Sequence, residues 1–322
     1  MDFTPLAWAA RNGHEGVVRV LLSRDDIDPD KPSENGKTPL AWAARNGHEG
    51  VVRVLLSRDD IDPDKPSMDG KTPLLQAAYN GHDGVVKMLL ERDDVNPDKS
   101  CVFDGTPLLQ AACNGNEGVV EILLGRDDVN PDKGEVFGHT PLTQATFHGF
   151  EGVVRMLLGR DDIDPNKPNM DGETPLLLAA GEGHEGIMKM LLGRDDIDPN
   201  KPDKGGQTPL LLAAGKGHEG IVKMLLGRDD IDPNKLDKDD QTPLLLAASN
   251  GHEGVVKLLL ARGGVNPGKP DRWGPTPLWW TAENGHVRVI ALLPRPTSAT
   301  HRVFPSLPPS NIALNTCVPF SQ

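Results

Sequence analysis

TPLLLAAGEGHEGIMKMLLGRDDIDPNKPDKGGQ, residues 174–207, decides the fold, because the rest of the chain is built from its copies. Thr-Pro-Leu begins at Thr4, Thr38, Thr72, Thr106, Thr140, Thr174, Thr208, Thr242 and Thr276, and every interval is 34 residues. Each copy carries its own punctuation. Thr174 offers a hydroxyl to cap a helix, and Pro175 at the first helical position loses nothing, since that N–H would have no partner. Leu176 to Ala180 read as a short apolar helix, with Gly183 where a left-handed turn ends it. Ile187, Met188, Leu191 and Leu192 then mark the apolar stripe of a second helix. Gly186 in its first turn costs about 1 kcal/mol relative to Ala. The remainder, RDDIDPNKPDKGGQ (194–207), is polar and too interrupted by Pro and Gly for a third helix.

Such a unit cannot stand alone. Its roughly six large apolar side chains do not offset the entropy of ordering its backbone. Neighbouring units must therefore bury each other's faces. The repeated Ala pair, Ala179-Ala180 and its copies, lets helices approach closely. At about 8–10 Å per helix layer, nine units predict a rod or arc roughly 80 Å long.

TPLLLAAGEGHEGIMKMLL resembles the ankyrin repeat: Thr-Pro-Leu, an Ala pair, Gly-His, paired aliphatics and Leu-Leu. The resemblance covers about residues 4–293 and is similar to arrays of filamentous fungi. It implies an all-α solenoid of stacked helix-turn-helix units with hairpin-like connecting loops. Tetratricopeptide repeats share the period but lack the Thr-Pro-Leu start and the long connector. Departures from the pattern are specific. The His usual after Thr-Pro-Leu is replaced by Ala7, Ala41, Leu75, Leu109, Thr143, Leu177, Leu211, Leu245 and Trp279, which exchanges a hydrogen bond for packing. Asp pairs such as Asp25-Asp26 replace the usual Gly-Ala after the second helix. The domain reading is an array over 1–293 and a Pro-rich tail over 294–322, with six Pro and no Gly, Asp or Glu, expected to be disordered.

Composition narrows function. A net charge of −13 disfavours binding to nucleic acid phosphates. Cys101, Cys113 and Cys317 offer neither a disulfide framework nor a zinc site. No apolar run approaches the ~18 residues of a membrane span, and a cytoplasmic or nuclear protein, monomeric, is expected. Gly181 to Gly186 satisfies G-x-G-x-x-G, but a helix rather than a strand precedes it. Asp162, Asp164, Asn166 and Glu173 imitate a calcium loop, but Lys167 takes the place of the required Gly. His14, His48, His82, His184, His218, His252 and His286 recur once per unit, too far apart for one metal. They read as satisfying backbone groups between the two helices. No catalytic constellation, cofactor motif or metal site emerges.

Function is therefore sought where the repeats vary. The resemblance puts the binding face on the concave side, at hairpin tips and the ends of first helices. Of the chain's eight Phe and Tyr residues, five fall between 79 and 150. Tyr79, Phe103, Phe137 and Phe147, with Val102, Val136 and Cys113 at related positions, form the candidate partner-binding set. Phe150 stands in a His position and fits a packing role equally well. Trp8 is expected to cover the open end of the stack. The function read here is a non-catalytic protein-interaction scaffold whose partners present basic surfaces. The alternative is a ligand-sensing or autoinhibitory arm of a larger signalling or immune-type receptor.

Overall fold

The computed structural model of the chain describes residues 3–33 and 35–294. The expected disordered tail lies outside the described residues beyond Pro294. Among the described residues there are eighteen helices in nine pairs. The first five pairs are Pro5–Arg11 with Glu15–Leu22, Pro39–Arg45 with Glu49–Leu56, Pro73–Asn80 with Asp83–Leu90, Pro107–Cys113 with Glu117–Leu124, and Pro141–Phe147 with Glu151–Leu158. The other four are Pro175–Glu182 with Glu185–Leu192, Pro209–Lys216 with Glu219–Leu226, Pro243–Ser249 with Glu253–Ala261, and Pro277–Glu283 with Val287–Ile290. Each first helix packs on the first helices of its neighbours, and second helices do the same.

The start signals act as expected. Thr174 Oγ1 accepts the N–H of Leu177 at 3.3 Å, and the other Thr copies cap in the same way. Gly183 takes a left-handed φ of +82° at the C-cap. Leu75, Leu109, Leu177, Leu211 and Leu245 are buried, so the exchange of His for packing holds, and Thr143 instead completes a capping box with Thr140. One hydrophobic cluster runs from Leu6 to Leu293 through every unit, with the Ala pairs buried inside it.

Polar groups tie the units together as regularly as the core does. His48 Nε2 lies 2.9 Å from the Arg11 carbonyl, and His218 Nε2 lies 3.0 Å from that of Gly181. The ring does satisfy a backbone group, and the carbonyl it engages lies at the C-terminal end of the preceding unit's first helix. Arg194 forms a second tie. Its Nη1 donates to the Leu158 carbonyl at 3.0 Å, while Nε and Nη2 grip Asp196 at 2.9 and 2.8 Å. Arg58, Arg92, Arg126, Arg160 and Arg228 repeat the arrangement. The second Asp of each pair thus orients a guanidinium that satisfies a helix-end carbonyl of the preceding unit.

The ends differ from the middle. Val17 and Val20 are 50% and 66% exposed, whereas their copies Val51 and Val54 are buried. Trp8 packs edge-on to Phe3, 5.5 Å away, and is itself 52% exposed.

Candidate functional site

Each connector closes in a tight turn just before the next Thr cap. In the turn at 203–207, Asp203 N–H donates to the Gln207 carbonyl at 3.0 Å and Gly206 N–H to that of Asp203 at 3.1 Å. Gly206 has φ +83°, a conformation that costs Gly little and other residues more. Adjacent tips are joined by single backbone bonds. Met68 N–H donates to Asn35 at 3.2 Å, Met170 to Phe137 at 2.8 Å, Lys204 to Asp171 at 2.9 Å and Lys238 to Gly205 at 3.1 Å. The tips consequently form a row in which the same repeat position recurs every 34 residues.

The tip at 101–105 is built differently. Cys101 and Gly105 exchange two backbone bonds of 2.9 Å as an antiparallel bridge. Cys101 Sγ, buried, sits 2.9 Å from the Asp69 carbonyl and takes the part that a backbone N–H plays at other tips. Val102 and Phe103 are thrust outward, with Phe103 72% exposed. The next tip is fixed from beneath by Glu135, whose carboxylate accepts the N–H groups of Phe137 and His139 at 2.7 and 3.1 Å. Val136 and Phe137 are also exposed.

The expected binding set divides in two. Val102, Phe103, Val136 and Phe137 lie on consecutive tips. Tyr79, exposed at the end of its first helix, is linked to them through Lys71, whose Nζ sits 5.6 Å from the Tyr79 ring centroid and 3.0 Å from Asp104. Phe147 and Cys113 are half-buried. The Phe147 ring packs edge-on to His148 with centroids 5.1 Å apart, and His184 Nε2 engages its carbonyl at 3.1 Å. Burial pushes the Cys113 thiol up to about 12, so it is no nucleophile at neutral pH. Phe150 packs against the core, its ring lying against Gly115 of the preceding unit as the His rings lie against the corresponding glycines, which supports the packing reading.

Two residues escaped the sequence reading. Met68 and Met170, 81% and 56% exposed, hold the same register as Val102 and Val136 on the flanking tips. The signal was available in the spacing, since 68, 102, 136 and 170 differ by 34. Aromatic clustering alone does not reveal it. The six residues Met68, Val102, Phe103, Val136, Phe137 and Met170 make one apolar ridge over four tips, about 30 Å long at the helix-layer spacing. Beyond it the register turns basic, with Lys204 and Lys238 exposed.

The calcium-loop imitation is occupied by internal bonds. Asp162 holds Arg160 at 2.7 Å, Asp164 accepts the Asn166 N–H at 2.9 Å, and Asn166 Nδ2 donates to Asp196 at 2.6 Å. Among the described residues, no group of three or more His, Cys, Asp or Glu side chains is placed to hold a metal ion. No described helix is long and apolar enough to cross a membrane. A depression between second helices, lined by Glu121, Leu124, Arg155, Met156 and Arg160, brings together no reactive pair.

A family model described as ankyrin repeats (3 copies) matches residues 1–67, 57–135, 74–169, 161–237 and 230–300. No curated protein matches the chain.

Proposed function

The chain belongs to the ankyrin-repeat family, whose repeats generally mediate protein–protein interaction, and from that premise we propose that it is a non-catalytic scaffold binding a partner protein along its connector tips. The observation that carries this reading is the ridge of Met68, Val102, Phe103, Val136, Phe137 and Met170. Large side chains on turns held by backbone bonds and by Glu135 lose little entropy on binding. Aromatic residues so displayed are typical anchors of binding energy, and a contiguous apolar patch on a folded surface marks a contact site. Tyr79 extends the patch toward the first helices, the family's concave side. Charge steers encounter more than it sets affinity, and the acidic balance of the chain favours partners with basic surfaces.

The test is capture of partners from cell extract by the immobilised chain. Alanine at Tyr79, Phe103 and Phe137 together with serine at Met68 and Met170 is expected to abolish capture while the helical circular dichroism is retained. A second variant with alanine at Phe147 alone is expected to retain most of it, since that ring is half-buried. Undiminished capture by the first variant would place the contact face elsewhere.

A further inference from the structure

The joints between connectors come in two chemical forms. At Asn166, Asn200 and Asn234 a side-chain amide spans the unit boundary with both of its ends. Oδ1 accepts the N–H of Asp198, Asp232 and Asn266 at 3.0, 3.4 and 3.0 Å. Nδ2 donates to the carbonyls of Asp196, Asp230 and Gly264 at 2.6, 2.6 and 2.7 Å. In the four earlier units the same position holds Asp30, Asp64, Asp98 and Asp132. Their Oδ2 atoms accept the corresponding N–H groups of Asp62, Asn96, Asn130 and Asp164 at 2.8, 2.9, 2.9 and 2.8 Å. Their Oδ1 atoms are buried and have no hydrogen-bond partner.

By register, the carbonyls of Asp60, Asp94, Asp128 and Asp162 stand where the amide nitrogens of the Asn joints would donate. An ionised carboxylate brings a second acceptor to that place, and an unpaired buried acceptor costs more than a made bond returns. One proton per joint would convert each Asp into the hydrogen-bonding equivalent of Asn.

We infer that Asp30, Asp64, Asp98 and Asp132 are proton-binding joints: in mild acid each takes a solvent proton on Oδ1 and donates it to the next unit's carbonyl, tightening the N-terminal half of the array and leaving the Asn half unchanged. This goes beyond the binding role proposed above and does not depend on it. No bond other than the new O–H forms or breaks.

The groups facing each carboxyl act in both directions. Lys65, Lys99, Lys133 and Lys167 from the following units favour the charged form, each with its Nζ on the carbonyl of the joint residue at 3.1, 2.7, 2.7 and 2.8 Å. Asp28 and Asp62 around Asp30, Asp62 and Asp94 around Asp64, Asp128 near Asp98, and Asp162 and Asp164 around Asp132 favour the neutral form. Burial is the largest influence and raises all four above the ordinary aspartate value. A carboxyl raised in the folded state binds its proton there before the unfolded chain does. Stability from this source is complete below the unfolded value and lost as pH rises through the folded one. The Arg-gripped Asp60, Asp94, Asp128 and Asp162 behave oppositely. Their guanidinium bonds hold them below the ordinary range, so their contribution fails only as pH falls beneath it. The window of the joints therefore lies between neutrality and about pH 4.

The experiment compares the whole chain with a D30N/D64N/D98N/D132N variant by urea unfolding at about pH 7 and about pH 5. The variant is expected to have the higher urea midpoint near pH 7, with the gap to wild type narrowing at the lower pH. Hydrogen exchange is expected to slow in the connectors of the first four units only. The reverse variant, N166D/N200D/N234D, is expected to lower the midpoint near neutrality and regain it in acid. A gap that does not change with pH, or a quadruple variant less stable than wild type near pH 7, would overturn the assignment. So would a rise in the wild-type midpoint on adding calcium chloride that the quadruple variant lacks, since that would mean a cation closes these joints.

Discussion

Gly16 and Gly186 occupy the same place, the first turn of a second helix, and the sequence treats them alike. Their surroundings differ. A Cβ on Gly16 would meet nothing, whereas one on Gly186 would meet the carboxylate of Glu151 from the preceding unit. The apparent helix penalty at Gly186 thus makes room for an acidic side chain across the unit boundary. Gly16→Ala should stabilise the chain by about 0.5–1 kcal/mol, the usual Gly-to-Ala difference in a helix. Gly186→Ala should gain less than half as much, because Glu151 must swing aside. Equal gains in urea unfolding would refute the assigned role of the glutamate. Residue by residue, the sequence was legible where a side chain acts on its own turn, as at Thr174 and Gly183. It was silent where the partner sits in the neighbouring copy, as for His218, whose carbonyl partner Gly181 belongs to the preceding unit.

At the scale of elements, the helix pairs could be read almost to their ends, because caps and apolar stripes are local signals. The connectors could not. Their chemistry is exercised between copies, and Arg194 illustrates it by joining Asp196 in its own connector to the Leu158 carbonyl behind it. Among the described residues, Arg24 holds Asp26 with Nε and Nη2 at 2.9 and 2.8 Å and reaches no helix-end carbonyl. Arg194→Ala should therefore destabilise the array by about 1 kcal/mol, the worth of a partly exposed charge-assisted bond, while Arg24→Ala should produce no measurable change, as for other exposed pairs. A loss of equal size at both positions, read from denaturant midpoints, would mean that the Asp contact rather than the carbonyl matters. The same limit explains the candidate site. Phe103 and Phe137 stood out as aromatics, but Met68 and Met170 join them only once the tips are aligned in space.

For the whole molecule, one continuous core from Leu6 to Leu293 and three recurring polar ties bind the units to their neighbours in nearly the same way along the array. That uniformity leaves the variable tips free to differ, which is why function was sought there. The most direct test takes residues 174–207 as an isolated peptide and records its far-ultraviolet circular dichroism. The predicted result is a spectrum without helix and without a cooperative melt, even though the same residues form two helices in the full chain. A helical peptide that melts cooperatively would contradict the claim that the fold is held together between units.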